Sequence, residues 1–275
     1  MEFDCKDKVT LILGCASGMG AATLKMLLAG GARVVGFDNN QENMEETLEE
    51  IADEMPDHPG TLDVVYGDLT SAEDRARVLD LVREKYGRID NLLYVAGVLD
   101  LMCPAHKCDD ELWNYVMDVN VNDCFYTIRD ALPMLLDHEG PAANVVIVGS
   151  VGGLYGSTAG AAYVTSKHAV LGLARSLAWS YHWRNLRVNV VNPGAIMTGI
   201  LGNAMERWPD RDVMDEEGND LYNVRGGVSL GLDAEGNNMM GDAEDIARTI
   251  MFLIDDESKY INGAQVTVDG GWTSF

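Results

Sequence analysis

The chain has 275 residues, 47% of them hydrophobic, with 29 glycines and 7 prolines, enough to bury a sizeable core within one large domain. That apolar share, with no glycine period, excludes intrinsic disorder and collagen-like order. Acids outnumber bases 44 to 20, for a formal charge of −24; a surface that negative repels nucleic-acid phosphate and anionic lipid, so neither is an expected partner.

Short β-branched runs alternate with longer amphipathic ones along the chain. Strands are predicted at Val9–Leu13, Arg33–Phe37, Asp63–Tyr66, Asn91–Val95, Asn144–Val148, Arg187–Val191 and Gln265–Val268. Most are continuous apolar runs, as expected of strands covered on both faces. Gln41–Asp57 holds eight acids and no base and reads as a helix with a solvated face. Ser71 and Asp74 make a capping-box-like start for a helix that turns Val78, Leu79 and Val82 inward and stops at Gly87. Such alternation with right-handed crossovers predicts an α/β fold, a doubly wound parallel sheet of about seven strands with helices on both faces. Residues 1–275 read as a single domain. Within it, 199–241 is rich in Gly, Asp, Asn and Met and too long for an ordinary connection, so it reads as a substrate-binding loop or lid. Cysteines at 5, 15, 103, 108 and 124 form no CxxC pair and suit a reducing compartment. With no amino-terminal apolar region and no run long enough for a membrane span, a soluble cytoplasmic protein is expected.

Gly14-Cys15-Ala16-Ser17-Gly18-Met19-Gly20 follows the first strand and opens a helix. Glycine suits a backbone that must turn sharply and approach a pyrophosphate, and the helix N-terminus then offers unpaired N–H groups to the negative charge. The spacing is GxxxGxG rather than GxGxxG. Asp38 ends the second strand, where an acid accepts hydrogen bonds from the adenosine ribose hydroxyls and repels a 2′-phosphate. No Lys or Arg stands in the glycine loop, so NAD is favoured over NADP. The fold class is therefore Rossmann-type.

Tyr163-Val164-Thr165-Ser166-Lys167 places a phenol and an ammonium four residues apart on one face of a predicted helix. A nearby cation favours the phenolate, which suits the phenol to general acid–base work near neutral pH. Ser150 stands at the end of the fifth strand, where such a sheet opens into its ligand crevice. Asn120 lies in Val119-Asn120-Val121, an awkward place for a helix-interior amide, and Pro193-Gly194 follows the sixth strand.

Taken with Asp68-Leu69, Ala96-Gly97, Thr198 and the closing Asp269-Gly270-Gly271, these residues resemble the short-chain dehydrogenase/reductase family over essentially the whole chain. The resemblance implies that Tyr163 exchanges the proton with the substrate oxygen and that Ser150 hydrogen-bonds that oxygen. Lys167 would hold the nicotinamide ribose and acidify Tyr163, and Asn120 would support a water relay to Lys167. Asp68 and Leu69 would meet the adenine, and Ile196 and Thr198 the carboxamide. In place of the family's Asn-Asn-Ala-Gly stands Tyr94-Val95-Ala96-Gly97, which removes side chains that tie neighbouring strands together. The glycine-loop variant is similar to bacterial 3α-hydroxysteroid dehydrogenase/carbonyl reductases. The expected function is NAD-dependent interconversion of a secondary alcohol and a ketone, on a hydroxysteroid or bile acid. Dehydrogenation of a sugar alcohol, diol or 3-oxoacyl thioester and a non-catalytic NAD sensor are the alternatives. A homotetramer, or else a homodimer, is implied.

Cys103-Pro104-Ala105-His106-Lys107-Cys108 holds three soft ligands but no fourth at a recognised spacing, so no metal is expected. Met197, Met205, Met214, Met239 and Met240, with Ile200, Leu201 and Trp208, either line a pocket for a bulky, rigid substrate or fill space beneath a lid. His168 and His182 are read as structural.

Overall fold

Seven parallel strands pair into one sheet in the order β3-β2-β1-β4-β5-β6-β7. They are β1 (Val9–Leu13), β2 (Arg33–Asp38), β3 (Thr61–Tyr66), β4 (Asn91–Tyr94), β5 (Ala143–Val148), β6 (Leu186–Pro193) and β7 (Gln265–Val268). The structure is a computed structural model that describes residues 3–137, 140–156, 159–211 and 240–274. Between the strands lie α1 (Gly18–Ala29), α2 (Gln41–Glu54), α3 (Ala72–Lys85), α4 (Asp110–Met117), α5 (Cys124–Leu136), α6 (Ala161–Tyr181), α7 (Ile200–Arg207) and α8 (Ala243–Ile254). A π-helical turn, Asp118–Asp123, joins α4 to α5.

Successive side chains of a strand point to opposite faces, so a strand covered twice is largely apolar on both, and the polar residues it keeps are buried too. Leu11, Leu13, Leu92, Ile147 and Val190 pack with α3, α5 and α6, while Ile12, Leu93, Val146 and Val191 pack with α1 and α8. Every residue of β1, β4, β5 and β6 is accordingly buried.

The strand ties expected to be missing are made elsewhere on the sheet. Asn91 Nδ2 donates to Thr10 Oγ1 at 3.0 Å and Asn144 Nδ2 donates to Asn91 Oδ1 at 2.9 Å. Because Thr10, Asn91 and Asn144 are register partners on β1, β4 and β5, this ladder runs straight across the centre of the sheet.

Several strand ends and one helix cap differ from the sequence reading, most strand ends by a single residue. β3 begins two residues earlier, at Thr61, and β6 runs on to Pro193, since backbone pairing outlasts the apolar run. Ser71 accepts from the Asp74 N–H at 3.3 Å, but the Asp74 carboxylate turns to the Asp68 N–H at 2.9 Å, so only half a capping box forms. The segment 199–241 opens as helix α7 rather than loop, because Ala204 and Trp208 bury against Leu101, Leu112 and Val116 in a small third cluster. The rest of the lid reading, with Met214 and Met239, falls on 212–239, outside the described residues. Among the described residues no helix is long and apolar enough to cross a membrane.

Candidate active site

Strand order reverses direction at β1 and β4, and the crevice beyond their carboxyl ends is where such sheets take ligands. The glycine loop forms one wall. Gly14 and Gly18 have φ of 84° and 50°, and a Cβ on Gly20 would lie 1.8 Å from the Gly14 carbonyl oxygen, so the loop exists only with glycine there. The α1 N-cap, Ser17, makes no side-chain cap bond and the first turn holds no acid, leaving the helix N-terminus available to an anion.

Asp38 is fastened to this loop: its Oδ2 accepts from the Ala16 N–H at 2.8 Å and its Oδ1 from the Asn40 N–H at 2.9 Å. Asp68 Oδ1 accepts from the Thr70 N–H at 2.8 Å, and the Leu69 carbonyl accepts from Arg75 Nη1 at 2.7 Å. A cleft of ≈ 570 Å³ is lined by Gly14, Ser17, Asp38, Asp68, Gly97 and Thr198, with Met19, Leu69 and Ala96 also on its walls. Thr198 sits over Gly18, its Cγ2 3.0 Å from where a Cβ would be. The neighbouring residues are held by the sheet edge: Pro193 pairs with Val268, the Gly194 N–H donates to the Val268 carbonyl at 2.9 Å, and Ile196 bridges to Gly241.

The second group stands at the end of β5 and along α6. Tyr163 is 9% exposed, and Ser150, whose Oγ accepts from the Gly152 N–H at 3.0 Å, is the hydroxyl that works against the rise in its pKa. Lys167, one helical turn on, is buried; its Nζ lies 5.6 Å from the Tyr163 ring centroid and donates to the Val148 carbonyl at 3.0 Å. The π turn brings in Asn120, whose Oδ1 accepts from the Val98 N–H at 2.9 Å and whose Nδ2 donates to Ser166 Oγ at 2.9 Å. A Cβ on Gly97 would lie 3.2 Å from Lys167 Nζ and 3.4 Å from Asn120 Oδ1. Ammonium and amide thus lie against Gly97, whose backbone is part of the cleft wall.

Burial pushes the Tyr163 phenol up to about 12, against the opposing hydrogen bond from Ser150 and with the Asp100 charge adding to the rise. Lys167 is not among the groups that shift the Tyr163 phenol, so the expected acidification is not seen here. The ammonium faces the ring and the Val148 carbonyl, and burial pushes it down to about 8.

Three participants escaped the sequence reading: Ser166, which links Asn120 to α6; the Tyr94–Asp123–Arg75 group beneath the π turn; and Asp100. A lone acid inside Val98-Leu99-Asp100-Leu101 was the one signal available for Asp100. His168 and His182 bond the carbonyls of Val164 and Trp179 at 2.9 and 2.7 Å, as structural residues do. Among the described residues no group of three or more His, Cys, Asp or Glu is placed to hold a metal ion.

A glycine loop at a parallel-sheet switch point, facing a buried tyrosine–lysine pair, marks the chain as one of the doubly wound α/β oxidoreductases. Residues 8–208 match the family model described as short chain dehydrogenase, and 233–273 match one described as Enoyl-(Acyl carrier protein) reductase. The chain is 31% identical over 269 residues to short chain dehydrogenase adrF of Penicillium roqueforti, covering 98% of each protein. It is 30% identical over 268 residues to 3beta-hydroxysteroid dehydrogenase 2 of Eggerthella lenta, covering 98% of this chain and 95% of that one. The crystal structure of levodione reductase superposes with a TM-score of 0.80 at 27% identity, covering 98% of both chains. The chain belongs to the short-chain dehydrogenase/reductase family. As a member it is an oxidoreductase that works on the alcohol/ketone couple of small molecules with a nicotinamide cofactor.

Proposed function

We propose that this enzyme uses NAD to interconvert a secondary alcohol and a ketone on a hydroxysteroid or bile acid, with Tyr163 as general acid/base. The observation that carries the chemistry is the buried Ser150–Tyr163–Lys167 group meeting the cleft at Gly97. The glycine loop fits a dinucleotide phosphate, since Gly20 lets the loop close tightly on the uncapped, acid-free N-terminus of α1 beside the cleft. Preference for NAD rests on Asp38, a carboxylate held at the cleft where a 2′-phosphate would be repelled. The steroid assignment rests on the glycine-loop resemblance, the likeness to the Eggerthella lenta enzyme and the exposed Met197, Met205 and Met240 around α7.

When bound, NAD supplies the acceptor for the two electrons and the hydrogen of the carbinol carbon. The chain's own residues handle the oxygen. Ser150 hydrogen-bonds it and Tyr163 removes or returns its proton. The Lys167 ammonium stabilises the resulting phenolate and holds the nicotinamide ribose. Asn120 keeps 97–98 against α6 through Val98 and Ser166, on the side from which a proton relay reaches Lys167. Asp68 and Leu69 receive the adenine, and Ile196 and Thr198 the carboxamide. The segment 199–241 serves as the substrate lid.

A homotetramer fits the exposed aromatics of α5, the far end of α6 and the turn after it, where Phe125, Trp179 and Trp183 are 42, 80 and 70% exposed. Five free cysteines suit a reducing, cytoplasmic setting. The test is Tyr163→Phe, assayed with a panel of steroids and bile acids hydroxylated at several ring positions. NAD binding is expected to persist while turnover falls by more than about a hundredfold. Retained turnover would overturn the assignment, and wild-type NAD binding with no alcohol oxidised would favour a sensor.

A further inference from the structure

Helix α6 begins at a residue that cannot cap it. Its N-cap is Gly160, and no side chain of the segment accepts from the first turn. A helix leaves its first N–H groups unpaired, and buried ones require an acceptor. Here the acceptors come from a loop some sixty residues earlier in the chain. Asp100 Oδ1 accepts from the Gly160 N–H at 3.1 Å and Asp100 Oδ2 from the Tyr163 N–H at 2.9 Å. The Cys103 carbonyl accepts from the Ala161 N–H at 3.3 Å.

The fit of this loop on the helix end is close. Asp100 is 0% exposed. A Cβ on Gly160 would fall 2.5 Å from Asp100 Oδ2 and 2.5 Å from the Cys103 carbonyl oxygen, so glycine is required for the carboxylate to reach the helix. Leu101 and Met102, between the two acceptors, have φ of 56° and 59°, a left-handed pair that non-glycine residues rarely adopt. Burial of Leu101 against Leu112, Val116 and Ala162 offsets that strain.

We infer that Asp100 is a positioning residue for Tyr163: its carboxylate fixes the backbone of the phenol-bearing turn and sets a negative charge beside it. The inference rests on the reading of Tyr163 as the proton-exchanging group. Holding the Tyr163 amide directly leaves the phenol little freedom relative to Ser150, and small misplacements of a reacting group are costly in rate. The carboxylate also favours the protonated phenol, the form that gives its proton to a ketone oxygen.

Near this pair stand the Lys167 ammonium on α6, 5.6 Å from the Tyr163 ring, and the Cys108 thiol of the loop, which burial, Asp100 and Asp109 push up and Arg211 pulls down; Ser150 after β5 is uncharged. Asp100→Asn keeps the shape, loses the charge and leaves one strong acceptor. It is expected to bind NAD within about twofold of wild type, to lose about tenfold or more in kcat, and to move the Tyr163 limb of the kcat/KM profile for alcohol oxidation down by about one pH unit. Asp100→Glu keeps the charge but overreaches. It is expected to lose kcat with that limb unmoved. In the wild-type enzyme, hydrogen exchange should show the Gly160 and Tyr163 amides among the slow set. Fast exchange at both amides would overturn the inference, as would wild-type kcat and pH profile in Asp100→Asn. Should Tyr163→Phe itself retain turnover, the Tyr163 reading falls instead, which is a separate result.

Discussion

The Tyr94 hydroxyl lies 2.7 Å from the carbonyl oxygen of Val119, the residue before Asn120 in the π turn. It also lies 2.9 Å from Asp123 Oδ2, and Asp123 in turn pairs with Arg75 Nη1 at 3.0 Å. A π turn shifts carbonyls out of the α-helical ladder and so creates acceptors that need a donor. Tyr94 occupies a position where the family ordinarily has Asn. Here its phenol braces the turn that carries Asn120.

Tyr94→Phe removes one oxygen and keeps the packing of a fully buried ring. The loss of the brace should cost about 1–3 kcal/mol in urea unfolding, the range for a buried acceptor left unmet. Turnover should fall more than NAD affinity does, because Asn120 is the group released. Equal stability and equal kcat would show that the hydroxyl does nothing for the turn.

Asp123 leads to a pH prediction with a definite sign. Burial pushes its carboxyl up to about 6 from 3.8, against the Tyr94 and Arg75 contacts. The folded protein therefore holds a proton that the unfolded chain has released between those values, and stability falls as pH rises through that window. Below it the contribution is fully present; above it the carboxylate is charged and buried. Asp123→Asn should flatten this part of the curve, as read by thermal melts at stepped pH between about 3.5 and 6.5. An unchanged slope would place the proton elsewhere.

Cofactor choice should respond to Asp38. In Asp38→Ser the loop amide of Ala16 loses a charged acceptor and, on the proposed reading, the cleft loses the carboxylate that would repel a 2′-phosphate. NAD affinity is expected to drop about tenfold or more while NADP affinity rises, both read by fluorescence titration. A parallel loss for the two dinucleotides would mean that Asp38 only shapes the loop.

At Gly20 the conflict is between backbone atoms and cannot be relieved by a rotamer. Gly20→Ala places a methyl 1.8 Å from the Gly14 oxygen, so the loop must open. A destabilisation of about 1–3 kcal/mol or more, with NAD binding abolished, is expected from calorimetry and titration on the same sample. Retained binding would show that the cradle is not needed.

The elements and the cofactor wall were legible because they depend on local rules. Apolar runs such as Val9–Leu13 and Asn144–Val148 had to be doubly covered strands, and the Gly14–Gly20 loop had to precede a helix. Tyr163 and Lys167 fall one helical turn apart, but that spacing is common and only their company with Ser150, Asn120 and the family resemblance singled them out. Helix α7 was missed because its burial is set by the distant Leu101, Leu112 and Val116, which no window around 200–207 contains.

By itself, then, the order of residues determined the doubly wound sheet and the place of its crevice, since these follow from periodicity and turn chemistry, while the groups expected to face it came from the family resemblance. The tertiary structure alone decided what holds those groups still. Tyr94 beneath the π turn and Asp100 on the first turn of α6 act across 25 and 63 positions of chain. Such pairings arise from packing between elements, and the hydrogen bonds that buried backbone groups must make are satisfied by whichever side chain the fold brings near.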